Sequence, residues 1–350
     1  MLNKTTANSR ENYMDVFRAI GIICMIMGHV WYGKTFDKYI HAFHMQMFFF
    51  ASGFFYKTKL PKTIWEYIYH LSKTLLVPYV IYGMFNYLSW LVFSHTQKDN
   101  LLQPLKSMIW VNTEGIIVGG AIWFLTSLFF SEIIFSLCDT FIKSSALKVT
   151  TITLITVFGG MYYCMFDYAL PYGLNASLVG VGFMYIGHSL KNKSEYLYFV
   201  NKKIYIVPLI VMACLLTNYN SPVNMRTGEY GNFALTMICS MSWIFLLLIV
   251  SKSLSSLFER GIKWLALIYK SILIVGRCSI VFLCLNQLVI ILVNKGFCYL
   301  LNPNMLELLP IKILITLIVL MVLLLLSLIV DNTRLSVTIG RKSRTVKGLL

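Results

Sequence analysis

The sequence predicts an all-α, polytopic bundle of about ten membrane-crossing helices with both termini in the cytoplasm. Three observations carry that expectation. The 350 residues are 58% hydrophobic and 13% charged, with a mean hydropathy of +0.72, too apolar for a globular surface facing water. The apolar residues are gathered into stretches long enough to cross about 30 Å of hydrocarbon, roughly 20 residues each. The formal net charge of +16 is unevenly spread: most of the 30 Lys and Arg residues fall at the N-terminus, in alternate loops and in the C-terminal tail, as on a cytoplasmic side. That basic surface faces the anionic head groups of the lipid bilayer, and no nucleic-acid partner is needed to explain it.

In chain order the expected spans lie at 14–32, 38–56, 75–94, 121–138, 148–166, 171–190, 204–218, 232–252, 272–293 and 311–330. The first is MDVFRAIGIICMIMGHVWY, and the second holds the aromatic run FHMQMFFFASGFFY. Between the third and fourth lies the longest external loop, about 95–120, with His95, Asp99, Pro104 and the Gly119-Gly120 pair, either a lid or a plain connector. The seventh span is short. The segments 191–203 and 252–271 are basic and cytoplasmic, and Trp264 with Leu265 and Leu267 lays the second along the membrane surface. The tail RKSRTVKGLL reads as disordered. No stretch is long and polar enough for a separate soluble domain, so residues 1–350 form one membrane domain, with a core at 13–330 and a basic tail at 331–350.

Cysteine and signal patterns exclude other classes. Cys298 alone stands in an expected external loop, the other cysteines lie in or at the ends of spans, and no CxxC pair suggests a disulfide framework or zinc site. Lys4 and Arg10 before an apolar run superficially imitate a signal peptide, but a second span follows without a small-residue cleavage site. Nothing matches a phosphate-binding loop or a dinucleotide fingerprint.

The first span carries Asp15, Arg18 and His29. Ionisable groups are costly in hydrocarbon and mark function by default. At about 100° per residue Arg18 and His29 differ by roughly 20° in direction, and Asp15 lies within about 60° of both, so one stripe of the helix holds all three. A rise of about 1.5 Å per residue converts position into height, and His29 comes out roughly 22 Å above the cytoplasmic interface. His44, Trp123, Asn175, Asn286 and Gln287, from other spans, fall at about 21 to 27 Å on the same scale. Arg18 and Arg277 fall at about 6 to 8 Å, where each either snorkels to lipid phosphates or frames an inner mouth for a phosphorylated ligand. Glu132 sits between the layers, paired with a basic or hydroxyl group or held as a protonated structural carboxyl. Two layers of this kind suit transfer of a group from a cytosolic, phosphate-bearing donor to an acceptor on the far side, with histidine as the usual base for an alcohol at neutral pH.

At this point the sequence resembles acyltransferase family 3, integral membrane proteins that acylate exported sugars and polysaccharides. The resemblance starts with arginine, ten residues and histidine at Arg18 and His29, with Asp15 ahead of them as in the family's IDxLRxxAI run. FHMQMFFFASGFFY is similar to the family's FHMPLFFFLSG and assigns His44 and Gly53. KTLLVPY at 73–79, IWFLTSL at 122–128, NASLVGVGFMYIGHSL at 175–190 and GRCSIVFLCLNQ follow in the family's order. One departure stands out: Asn286 occupies the place where the late segment usually ends in histidine, and a carboxamide carries no proton at neutral pH.

The resemblance implies an acyltransferase, most simply an O-acetyltransferase of the cell membrane that uses acetyl-CoA or another acyl-CoA as co-substrate, without a metal. Its acceptor is a glycan or glycolipid of the cell envelope. His29 is then the base, Asp15 fixes Arg18, and Arg18 with Arg277 meets the donor's phosphates. His44, Trp123, Asn175, Asn286 and Glu132 are the candidate substrate-binding residues. Direct transfer and relay through an acyl-histidine both stay open. His41, His70, His95 and His188 are expected at helix ends or in loops, outside the chemistry. The rival readings are a glycolipid or small-molecule transporter or flippase without chemistry, and a catalytically inactive accessory protein, to which Asn286 lends weight.

Overall fold

The computed structural model describes residues 12–57, 63–93, 102–109, 119–191, 193–258 and 263–341, and among them the regular elements are helices, joined by turns and loops, with one isolated bridge between Asn224 and Glu229. Among the described residues, seven helices are long and apolar enough to cross a membrane: Asn12–Val30, Ile64–Val92, Gly120–Phe141, Ser145–Phe166, Phe233–Phe258, Ser279–Leu300 and Leu309–Asn332. The remaining three expected spans are present as shorter helices.

The differences from a continuous ten-span bundle have local causes. The stretch expected at 38–56 is broken, with α1 (Asn12–Val30) followed by α2 (Lys34–His41) and α3 (His44–Phe55). Phe43 at the break has φ −147° and ψ −26°, outside helical geometry, and the Ser240 hydroxyl donates to the Ala42 carbonyl at 2.7 Å. That bond satisfies an acceptor the interrupted ladder leaves open. The third span begins earlier than expected, as α4 (Ile64–Leu71) running through a π-helical turn at Ser72–Leu76 into α5 (Val77–Phe93). Pro78 follows that turn, and a proline ring lacks the N–H a regular ladder requires. After α6 (Gln103–Ile109) come α7 (Trp123–Phe141), α8 (Ser145–Phe166) and α9 (Leu174–Leu190). Most of the loop at 95–120, with His95 and Asp99, lies outside the described residues.

Next are α10 (Ser194–Val200), the short α11 (Ile206–Tyr219) and α12 (Phe233–Phe258). The segment expected to lie along the membrane surface up to about 271 holds α13 (Lys263–Arg277), which runs past that point, and the ninth span starts only after Cys278 as α14 (Ser279–Leu300). Tyr269 and Leu273 of α13 pack with Val16, so one face of α13 is covered by α1 rather than by lipid alone. The side chain of Trp264 lies outside the described residues. Finally α15 (Leu309–Asn332) leads into a 3-10 turn at Arg334–Ile339. That turn is not a loose tail: Thr338 bonds Tyr82 at 3.1 Å, and Arg341 bonds Asp331 at 2.8 Å. Residues 342–350, most of the tail expected as disordered, lie outside the described residues.

Two backbone contacts fix the centre of the bundle. A Cβ built on Gly53 of α3 would overlap the Met184 carbonyl of α9, and one on Gly187 would overlap the Phe50 carbonyl. Glycine at both points lets α3 and α9 touch backbone to backbone, as small residues do between membrane helices. Likewise Gly276 of α13 abuts the Asp15 carbonyl of α1. Between α7 and α9, Ser131 donates to the Ser177 carbonyl at 2.8 Å and Ser177 to the Ser127 carbonyl at 2.9 Å. The core around these contacts is aromatic, with Phe17, Phe49, Phe50, Phe54 and Phe183 fully buried.

Candidate active site

Near the C-terminal end of α1, the bundle opens into a cavity of about 170 Å³. Its lining includes His29, His41, His44 and Gln287, with Trp123 and Arg226 also facing it. Met25, Met45, Ala121 and Leu283 supply an apolar floor. His29 keeps accessible surface inside the cavity, while Trp123 is largely covered. The break between α2 and α3 sets two of the imidazoles in edge contact: the His41 and His44 rings lie 4.9 Å apart at 84°.

Hydrogen bonds assign the nitrogens. The Gly120 N–H donates to Gln287 Oε1 at 2.6 Å, which fixes the carboxamide's orientation. The Gln287 Nε2 amide then faces His29 Nδ1 at 3.4 Å, so Nδ1 presents the lone pair and Nε2 carries the proton. In His44 the roles are reversed. Its Nδ1–H donates to the Ile40 carbonyl at 2.8 Å, leaving Nε2 as the lone-pair nitrogen. His41 Nδ1–H donates to the Asp37 carbonyl at 2.9 Å and stands 3.2 Å from the Asp37 carboxylate. A carboxylate behind an imidazole holds its tautomer and favours its cationic form.

Trp123 is held at the cavity by α7 and the turn before α9. Thr126 bonds the Tyr172 carbonyl at 2.9 Å, and Gly173, with φ +67°, lies against the indole. In that geometry an L side chain is strained, and a Cβ there would crowd Ser127 and the indole edge at 3.1 Å. Arg226 reaches the cavity from the loop between α11 and α12. The Asn224 carboxamide accepts from the Arg226 N–H at 3.2 Å, and the Asn224–Glu229 bridge closes the turn.

The second layer is assembled at the other end of α1. Asp15 is fully buried, its Oδ2 accepts from Arg277 Nε at 2.9 Å, and Arg18 approaches Oδ1 at 3.9 Å. The Arg18 guanidinium also lies over the Phe55 ring, 4.2 Å from its centre. One carboxylate thus orders two guanidiniums from helices far apart in sequence.

The sequence-derived candidates divide accordingly. His29, His44 and Trp123 meet in the cavity, and Asp15, Arg18 and Arg277 meet at the opposite end of α1. Asn286 is buried with its amide donating to the Phe282 and Leu283 carbonyls of its own helix, at 3.0 and 2.7 Å, and its neighbour Gln287 faces the cavity instead. Asn175 is buried beside Gly228 of the loop between α11 and α12 and is not among the lining residues. Glu132 belongs to neither group. It accepts hydrogen bonds from Ser52 and from Tyr67, the latter at 2.6 Å, joining α3, α4 and α7, so its partners are hydroxyl groups. His41 stands at the C-terminal end of α2, at a helix end as expected, and lines the cavity; Arg226 carries no sequence signal, since loop position is fixed only by the fold. The pairing of His41 with Asp37 four residues earlier was the one available hint.

The acyltransferase domain of acyltransferase family 3 matches residues 11–330 of the chain. The chain belongs to acyltransferase family 3. It is therefore a multi-pass integral membrane acyltransferase, and the match runs from the start of α1 into the last turn of α15, so both layers lie within it. No curated protein and no solved structure matches the chain.

Proposed function

We propose that this acyltransferase carries an acyl group, most simply acetyl, from a cytosolic acyl-CoA to a hydroxyl of an exported or cell-envelope glycan, with His29 as general base. The observation that carries this reading is the lone pair of His29 Nδ1, open to a cavity and faced at 3.4 Å by an amide donor it holds only loosely. A sugar hydroxyl bound between His29 and Gln287 gives its proton to Nδ1 as its oxygen attacks the thioester carbonyl. The carbon–sulfur bond then breaks, the thiolate takes the proton back from the imidazolium, and free CoA and an ester leave.

The other residues have supporting roles in this reading. Trp123 offers an aromatic face to the sugar ring. His44 Nε2 orients the acceptor or accepts a proton from it. Arg18 and Arg277, ordered by Asp15, meet the donor's phosphates at the cytoplasmic end, where a guanidinium fork suits phosphate oxygens. Neither a transporter nor an inactive accessory protein requires an imidazole lone pair at a cavity. Mass spectrometry of surface glycans from cells with and without the gene tests the proposal. One acyl mass increment that depends on the gene and on His29 is the expected result. Unmodified glycans in both cells, with glycan export altered by loss of the gene, favour the flippase.

A further inference from the structure

We infer that Lys312, with Tyr32 beside it, positions His29: together they pin the turn after α1 and so set His29 against His41. The inference rests on the functional reading above, in which His29 takes the acceptor proton. Lys312 stands in the first turn of α15 and is buried. Its Nζ donates to the Trp31 carbonyl at 2.8 Å and to Glu307 Oε2 at 2.7 Å. Trp31 lies two residues beyond His29, and the cavity lining includes no residue of α15, so Lys312 acts on the site through that carbonyl.

The turn is one that needs holding. Trp31 has φ +66°, and a bulky residue in the left-handed region persists only where its surroundings over-determine it. Its indole is exposed, and the contacts that hold the turn are made by its carbonyl and by Tyr32. The Lys312 ammonium meets an open carbonyl at the C-terminal end of α1, where the helix dipole favours a cation. The Tyr32 hydroxyl donates to Thr316 Oγ1 at 2.8 Å, and Thr316 in turn donates to the Lys312 carbonyl at 2.9 Å. Gly33, at φ +108°, then turns the chain into α2. Because α2 carries Asp37 and His41, the direction in which the chain leaves α1 decides where the second imidazole stands relative to the first.

An ammonium taken out of water at the start of an apolar helix costs free energy that a methionine of similar length would not. Glu307 balances its charge, yet that carboxylate is exposed and forms no part of the cavity. What the buried ammonium adds is a directed bond to a backbone carbonyl next to the base. Lys312 is therefore a positioning residue, and its effect falls on the imidazoles rather than on the substrate.

The purified full-length protein in detergent, with its histidines labelled with carbon-13 at Cε1, tests this without requiring turnover. Comparison with His29→Ala and His41→Ala assigns the two imidazole signals in a proton–carbon correlation spectrum. Lys312→Met leaves no buried charge behind, because Glu307 is exposed, and it is expected to displace the His29 and His41 signals while that of His70, in α4, stays in place. Tyr32→Phe displaces the same two signals by less. In membranes, with acetyl-CoA as donor and the surface glycan as acceptor, Lys312→Met lowers kcat about 10-fold at an unchanged KM for acetyl-CoA, the effect of a base held out of place. Melting temperature shows whether each variant is folded, and Tyr32→Phe decides if Lys312→Met is not. His29 and His41 signals at their wild-type positions in the folded variant overturn the inference. So does displacement of every histidine signal alike, which marks a general loosening of the fold. Displaced signals with transfer surviving in His29→Ala end the reading of His29 as base and leave this one standing; undisplaced signals with an inactive His29→Ala do the opposite.

Discussion

Gln287 Nε2 stands 3.4 Å from His29 Nδ1, and it is held there because the same carboxamide accepts a 2.6 Å hydrogen bond from the Gly120 backbone. The contact joins α1 to α14 at the cavity and sets the direction of the imidazole's lone pair.

Replacing Gln287 by Ala removes that guide while leaving the base. A lost hydrogen bond of about 1 kcal/mol corresponds to a fall in kcat of about fivefold. Asn286→Ala, by contrast, removes bonds to carbonyls of its own helix, so its kcat falls less than that of Gln287→Ala. Steady-state kinetics of the two variants, with melting temperatures beside them, checks the order.

Asp15→Asn is expected to destabilise the fold. Arg18 and Arg277 are each less than one third exposed, and both depend on the same carboxylate. Removing the buried carboxylate of such a pair costs about 3 kcal/mol. Thermal unfolding in detergent should show a clear drop in melting temperature, and donor affinity measured by titration of acetyl-CoA should fall with it.

Gly53→Ala tests the contact between α3 and α9. The added Cβ meets the Met184 carbonyl, a backbone atom that cannot move aside alone, and overpacking of this kind costs about 1–3 kcal/mol. A reduced yield of monodisperse protein is the expected outcome, and unchanged stability contradicts the close approach.

Tyr67→Phe deletes one of the hydroxyl donors to Glu132 without changing the aromatic body. A buried carboxylate left short of a donor costs about 1–3 kcal/mol. Because Glu132 lies outside the cavity lining, the loss should be seen in melting temperature with the acceptor KM unchanged.

These variants also mark how much of the molecule was legible in the sequence. Asp15, Arg18 and His29 were readable because helical periodicity relates residues of one helix, and depth alone placed His44, Trp123 and Gln287 level with His29. Depth does not fix direction around a helix. Asn286 and Gln287 are adjacent and so differ by about 100° in facing, and only packing decides which meets the cavity. The break at Ala42-Phe43 has no proline or glycine to announce it; it depends on Ser240, roughly 200 positions away in the chain. The same holds for Arg226, whose loop has no periodicity, and for Glu132, whose hydroxyl partners come from two other helices.

The central claim is that His29 takes the acceptor proton. Its direct measurement is the rate of acyl transfer from acetyl-CoA to surface glycan by wild type and His29→Ala, at matched expression and melting temperature. A loss of at least about 100-fold, the contribution of a general base, is the expected result. Acetylation within a few-fold of wild type in a folded His29→Ala protein would contradict it.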